Sequence, residues 1–153
     1  MNKSQPPLIR DHLKKEIAGL FWLASGVFIL LSLLSFHNDD PSFNTRLPTA
    51  VVHNWGGMVG ANLADLLIQL LGVVSFILPL ACFLLAYRLL KFSAIKIRLY
   101  KGGALLGLMF SLAGLIALRF REIHLFGQRI NEAGGFAGRV LSEALSRYLN
   151  LTG

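Results

Sequence analysis

IAGLFWLASGVFILLSLLSF, residues Ile17 to Phe36, is twenty residues of chain without one charged side chain. An α-helix rises about 1.5 Å per residue, so such a run crosses the ~30 Å hydrocarbon core of a bilayer. Two similar runs follow. Leu66 to Tyr87, LLIQLLGVVSFILPLACFLLAY, has twenty-two residues, and Gly102 to Leu118, GGALLGLMFSLAGLIAL, has seventeen. The last is short alone, but Leu99 and Tyr100 extend it, and Lys101 between them can carry its amine to the interface on a long apolar stem. Three such runs in 153 residues predict an all-α, polytopic helical membrane protein with three transmembrane helices.

The rest of the composition agrees. The chain is 54% hydrophobic and 15% charged, against roughly 25% charged in soluble domains. That excludes disorder, which needs low hydrophobicity and high charge. Cys82 is the only cysteine, so a disulfide scaffold is excluded too. The first apolar run is longer than the 7–15 residues of a signal peptide core, and no small-x-small cleavage site follows it cleanly. It reads as a retained span.

Lysine and arginine placement sets the expected orientation. Residues 1–16 form a basic leader with Lys3, Arg10, Lys14 and Lys15. The 37–65 loop has Arg46 against Asp39, Asp40 and Asp65, and the short 88–101 connection has five basic residues and no acid. The leader and the 88–101 loop are therefore expected in the cytoplasm, with 37–65 and 119–153 outside. Net charges for the four segments are +2, −2, +5 and +2, giving +7 overall. The five arginines of 119–153 strain this assignment; long segments and their glutamates weaken that vote. The basic excess reads as topology signal and attraction to anionic lipid rather than as a DNA-binding surface.

The chain repeats itself. GGMVGANLADLLIQLLG (Gly56–Gly72) and GGFAGRVLSEALSRYLN (Gly134–Asn150) share six of seventeen positions at an offset of 78: Gly56/134, Gly57/135, Gly60/138, Leu63/141, Leu67/145 and Leu71/149. A glycine pair permits positive φ and close backbone approach. In the second copy Phe136, Val140, Leu141, Ala144, Leu145, Tyr148 and Leu149 form an apolar stripe, with Arg139, Glu143 and Arg147 as i,i+4 partners on the other face. The first copy is expected to run directly into a span. By analogy a fourth span is expected after the second, and is missing from this sequence, which stops at Gly153. Without it the second copy reads as an external amphipathic helix lying on the membrane surface.

No catalytic motif is present. The nearest approach to a P-loop, Gly102 to Gly107, is followed by Leu108, so the chain has no nucleotide-binding motif. HExxH, CxxC and GxSxG are absent. His12, His37, His53 and His124 are expected on both sides of the membrane, which argues against a shared metal site. His53 beside Trp55 reads as an interfacial packing pair rather than a ligand, and Asp39-Asp40-Pro41 as a solvated turn rather than a weak cation site. No Asp, Glu, Lys, Arg or His lies within a span, which argues against a proton or ion path. Gln69 is a candidate for hydrogen bonding across helices or for a place near the interface, and Pro79 for a kink. Gly103, Gly107 and Ser111 form a small-xxx-small stripe on the third span, open to internal packing or to self-association.

SFHNDDPSFN (Ser35–Asn44) and HNWGGMVGANLADLLIQLLG (His53–Gly72) resemble the amino-terminal membrane domain of the FtsK/SpoIIIE family of bacterial DNA translocases. The second GGxxG, at Gly134, Gly135 and Gly138, fits the next external loop of that family. The resemblance implies an anchor in the bacterial inner membrane at the division septum, with four spans followed by a linker and a hexameric ATP-driven motor. The fourth span, linker, Walker motifs and DNA-reading module all lie outside these residues, so translocase activity transfers to no residue here. Expected partners are the lipid bilayer, further copies of the chain and cell-division proteins, with no direct DNA contact. No cofactor is expected in this chain, ATP and Mg belonging to the motor. Asp40, Pro41, Gly56, Gly57, Gly60 and Asp65 are the expected shapers of the outer loop, with contact to a division protein as a second role. Rival readings are a stand-alone membrane scaffold from a truncated gene and a transport or channel component.

Overall fold

The computed structural model describes residues 7–42, 51–91, 99–120, 122–125, 128–130 and 132–149. The start of the leader, Arg46, residues 92–98 of the basic 88–101 connection and everything after Leu149 lie outside the described residues. Helix α1 runs Pro7–Leu34, α2 Gly57–Leu71, α3 Ile77–Lys91, α4 Leu99–Arg119 and α5 Gly135–Leu149. A 3-10 turn, Gly72–Phe76, joins α2 to α3, and a short hairpin, β1 (Ile123–Leu125) and β2 (Gln128–Ile130), precedes α5.

Helix α1 begins about ten residues before the apolar run. Pro7 occupies its first position, where its missing N–H costs nothing. The helix continues through the basic residues, since lysine and arginine are good helix formers. It ends where the hydroxyls of Ser32 and Ser35 turn back onto the carbonyls of Phe28 (2.8 Å) and Leu31 (2.7 Å).

The second apolar run does not form one continuous helix. It breaks at Gly72, whose φ of 59° is strained for any residue with a Cβ. The Ser75 hydroxyl donates to the Gly72 carbonyl at 2.7 Å, closing the turn. Pro79, expected to kink the span, instead sits buried at the third position of α3, in the first turn, where proline is tolerated. The break thus falls within the expected 66–87 span. The turn and α3 together, Gly72–Lys91, measure about 32 Å, enough to cross a bilayer without α2. The sequence hides this break because Gly-Val-Val-Ser-Phe is as apolar as its flanks; only the sign of a glycine φ reports it.

Helix α3 packs antiparallel against α1. Gly19 lies against Leu89 and Leu90, and Gly26 against Cys82 and Phe83. Helix α2 instead meets the carboxyl end of α1, where Leu33, Ala64 and Ile68 form a buried cluster that Ile130 of β2 completes. A second cluster, Val74, Met109 and Ala113, joins the turn to α4. Helix α5 crosses the carboxyl end of α4, with Leu141 against Gly114.

The apolar stripe expected on α5 is divided. Leu141 packs inward, whereas Phe136, Val140 and Tyr148 are exposed. Arg139 pairs with Glu132, in the turn before the helix, rather than with Glu143. The hairpin, with Ile123 opposite Ile130, was not expected from the sequence. Its available signal is the apolar alternation Ile123, Leu125, Ile130 around Gly127.

Among the described residues, three helical stretches are long and apolar enough to cross a membrane: His12–Leu34, Gly57–Lys91 and Tyr100–Arg119. Their flanks expose Ile17, Leu20, Phe21, Leu80, Leu84, Leu106 and Leu115. So much contiguous apolar surface suits a lipid environment and no aqueous one.

Candidate functional site: a buried aspartate and two glycine turns

The end of α1, residues 35–42 and the residues leading into α2 are tied by a small polar core. Asp40 is 4% exposed. One carboxylate oxygen, Oδ1, accepts the His53 N–H at 2.8 Å and faces His53 Nδ1 at 3.0 Å; the other accepts the Asn54 N–H at 2.9 Å. A carboxylate can be buried only with such donors around it. The expected solvated turn is therefore half right: Asp39 is exposed, but Asp40 is a buried anchor, with Pro41 half-buried beside it.

Asn54, 5% exposed, extends the network. Its Nδ2 donates to the carbonyls of Ser32 (2.8 Å) and Ser35 (3.3 Å), and its Oδ1 accepts the Gly56 N–H at 2.9 Å. The last carbonyls of a helix have no partner within it, so one amide side chain both caps α1 and starts the turn into α2. The Trp55 N–H donates to Ser35 Oγ at 2.9 Å. Among the described residues no buried side-chain nitrogen or oxygen lacks a partner.

The glycines of the first motif serve two purposes. Gly57 has φ 63° and open space around it, so conformation alone demands glycine there. At Gly60 a Cβ would stand 2.4 Å from Asn54 Oδ1 and 2.7 Å from Ser32 Oγ; at Gly56 it would stand 2.8 Å from Ser32 Oγ. These two positions are demanded by close approach.

The second motif repeats that backbone. Gly135 has φ 62°. Its N–H donates to Glu132 O at 2.9 Å, as Gly57 does to Asn54 O at 2.9 Å; Gly138 donates to Gly134 O at 3.0 Å, as Gly60 does to Gly56 O. All four equivalences keep the offset of 78. A Cβ on Gly134 or Gly138 would meet the Ala113 carbonyl oxygen of α4 at 2.2 or 2.4 Å.

The remaining sequence candidates lie elsewhere. Asp65 accepts from Gln69 Nε2 at 2.8 Å one turn along α2, so Gln69 bonds within its own helix rather than across helices. Apart from chain neighbours and the backbone of α4 itself, no described atom lies within 4 Å of a Cβ built on Gly103 or Gly107, and the Ser111 hydroxyl returns to the Gly107 carbonyl at 2.8 Å. Among the described residues no other element packs against Gly103 or Gly107, and close helix approach falls at Gly19 and Gly26, seven residues apart on α1.

His53 also departs from expectation. Its ring stacks on His37, centroids 4.8 Å apart and planes 28° from parallel, while Trp55 is exposed. Two of the four histidines do converge, because Asp40 draws residues 37 and 53 together. Sequence reasoning missed Ser32, Ser35, His37, Asn54 and Gly72; Asn54 and Gly72 bracket the repeat and were the most findable.

The sequence profile of the 4TM region of DNA translocase FtsK/SpoIIIE matches residues 11–153. The chain belongs to this family. It is a multi-pass membrane protein of the bacterial inner membrane. Among FtsK/SpoIIIE relatives, the DNA translocase FtsK of Rickettsia prowazekii is 34% identical over 138 residues, covering 89% of this chain and 17% of that protein. The Shewanella oneidensis FtsK is 32% identical, covering 82% of this chain and 14% of its own length. The FtsK of Pseudomonas syringae pv. syringae is 30% identical, covering the whole chain and 21% of its own length. The chain thus spans about a fifth or less of these relatives, and its match is to the membrane region, not to the motor. No solved structure matches it.

Proposed function

We propose that this chain is the membrane anchor of a septal DNA translocase: it tethers and assembles the motor and contacts cell-division proteins, and performs no catalysis itself. The observation that carries the reading is the match of residues 11–153 to the membrane region of FtsK/SpoIIIE translocases. Tethering confines a linked motor to the membrane and raises its effective concentration where the septum closes. ATP, Mg and DNA are then met by the motor, and residues 1–153 contact lipid, other copies of the chain and division proteins. The unpacked Gly103–Gly107–Ser111 face of α4 supports helix association in the membrane, with a hexamer as the expected assembly. In this reading the amino terminus is cytoplasmic, and the 37–65 loop and α5 face outward.

Two measurements test it. In dividing cells, a fluorescent fusion of residues 1–153 is expected to concentrate at midcell; uniform membrane fluorescence refutes the septal role. For orientation, single cysteines at Asn38 and Lys91 in a Cys82→Ser background are treated with a membrane-impermeant maleimide on intact spheroplasts. Labelling at position 38 and protection at 91 is the expected pattern, and the reverse overturns the topology.

A further inference from the structure

Next to the buried Asp40 network, His37, Asp40 and His53 each offer one ligand atom, all within 4.8 Å of one another. We propose that these three residues bind a divalent transition-metal ion of the zinc class, which clamps the segment leaving α1 to the segment entering α2.

The donor set argues for that class of ion. Two imidazoles and one carboxylate suit zinc, cobalt or nickel, whereas magnesium and calcium demand oxygen ligands. Asp40 Oδ1 and His53 Nδ1 are 3.0 Å apart, close to the ~3.3 Å edge of a tetrahedral ion with bonds of about 2.0–2.1 Å. Asp40 is already positioned: the His53 and Asn54 N–H groups hold both carboxylate oxygens from the backbone side. Those two bonds survive coordination. The contact between Oδ1 and His53 Nδ1 is exchanged for the ion, which the neutral imidazole meets with the lone pair of Nδ1, its one N–H proton then residing on Nε2.

Access and charge agree with the donors. The His37 and His53 side chains are 33% and 55% exposed, and that of Asp40 3%. An ion therefore reaches the imidazoles from solvent and meets the fixed carboxylate beneath. Asp39 adds a second carboxylate, with Oδ2 3.7 Å from His37 Nδ1, and residues 37–65 carry a net charge of −2. With three protein ligands, the fourth position is left for water, the arrangement of an exchangeable ion rather than a sealed structural one.

The test is titration of tag-free protein in nanodiscs with zinc chloride, followed by calorimetry and by thermal unfolding. One zinc per chain, a raised melting temperature reversed by EDTA, and no response to magnesium are expected. His37→Gln removes a ligand outside the Asp40 hydrogen-bond network, so it should fold normally and weaken binding at least about tenfold. His12→Gln and His124→Gln should bind as the parent does. Cobalt(II) should give the intense visible absorption of a tetrahedral site, lost in His37→Gln. Absence of zinc binding by the parent protein overturns the proposal. So does zinc binding that His37→Gln and His53→Gln leave unchanged, which would make the cluster a hydrogen-bonded anchor only.

Discussion

The two halves of the molecule use one device in different surroundings. In each, a long apolar helix ends, the chain turns at a glycine pair whose second member has φ near 60°, and a fifteen-residue helix crosses the end just left. In the first half the crossing is cemented by polar side chains: Asp40, Asn54, Ser32 and Ser35. In the second it is backbone against backbone, Gly134 and Gly138 on the Ala113 carbonyl. Glu132, which stands at the position of Asn54, is partly exposed and pairs with Arg139. The geometry therefore belongs to the glycines and the small residue beneath them; the polar network is an addition of the first half, where the loop carries its own buried core. The halves also interlock. Val73 N donates to Ala133 O at 3.0 Å, and a Cβ on Gly135 would stand 2.6 Å from backbone atoms of Leu70, Leu71 and Gly72.

This contrast makes equivalent glycines unequal. Gly57 and Gly135 share a backbone conformation, so alanine at either incurs the left-handed penalty of about 1–2 kcal/mol. At Gly57 nothing else is touched. At Gly135, and at Gly72, where the Cβ would lie 2.0 Å from Ala133 O, backbone must move. Gly72→Ala and Gly135→Ala are expected to cost more than about 3 kcal/mol or to prevent folding, and Gly57→Ala about 1–2 kcal/mol. Thermal unfolding in detergent, read by circular dichroism, ranks them. Equal losses at Gly57 and Gly135 would mean that the interlock between the halves contributes nothing.

The next effect concerns the equivalent residues 54 and 132. Asn54→Ala removes the cap on α1 and strands buried carbonyls, at an expected cost of about 1–3 kcal/mol. Glu132→Ala breaks an ion pair whose side chains are 40% and 50% exposed, worth about 0–1 kcal/mol. The same unfolding assay compares them, and a larger loss at Glu132 would reverse the assignment of the polar core to the first half.

Much of this was legible in the sequence, for identifiable reasons. Helices in lipid must be long and uncharged, so Ile17–Phe36 declares itself by composition alone. The repeat was legible because glycine at Gly57 and Gly135 answers to a backbone conformation that other residues resist. The break at Gly72 was not, since a change of direction inside an apolar run leaves hydropathy unchanged. Nor was the meeting of His37 with His53, which depends on the burial of Asp40 between them and on no local pattern. Gly103 and Gly107 drew attention by their spacing, yet the close helix approach is made at Gly19 and Gly26. Small residues permit approach; a partner helix must be present to use it.

That last point yields the smallest expected effect and a sharp comparison. Gly26 and Gly107 occupy similar places, each some six residues before the small residue on which the glycine motif rests, Ser32 and Ala113. Phe83 and Cys82 of α3 fill the space at Gly26, the ring 2.8 Å from where a Cβ would stand, whereas the space at Gly107 is open. Leucine at position 26 must push α3 away from α1, an overpacking cost of about 1–3 kcal/mol or more. At 107 no atom of another element lies within 4 Å of the added Cβ, so Gly107→Leu should leave the stability of the isolated chain within about 0.5 kcal/mol of the parent. If Gly107→Leu lowers stability as Gly26→Leu does, and does so more at high protein concentration, then copies of the chain meet through this face of α4. A loss independent of concentration would place the contact within the chain and break the contrast between the two long helices.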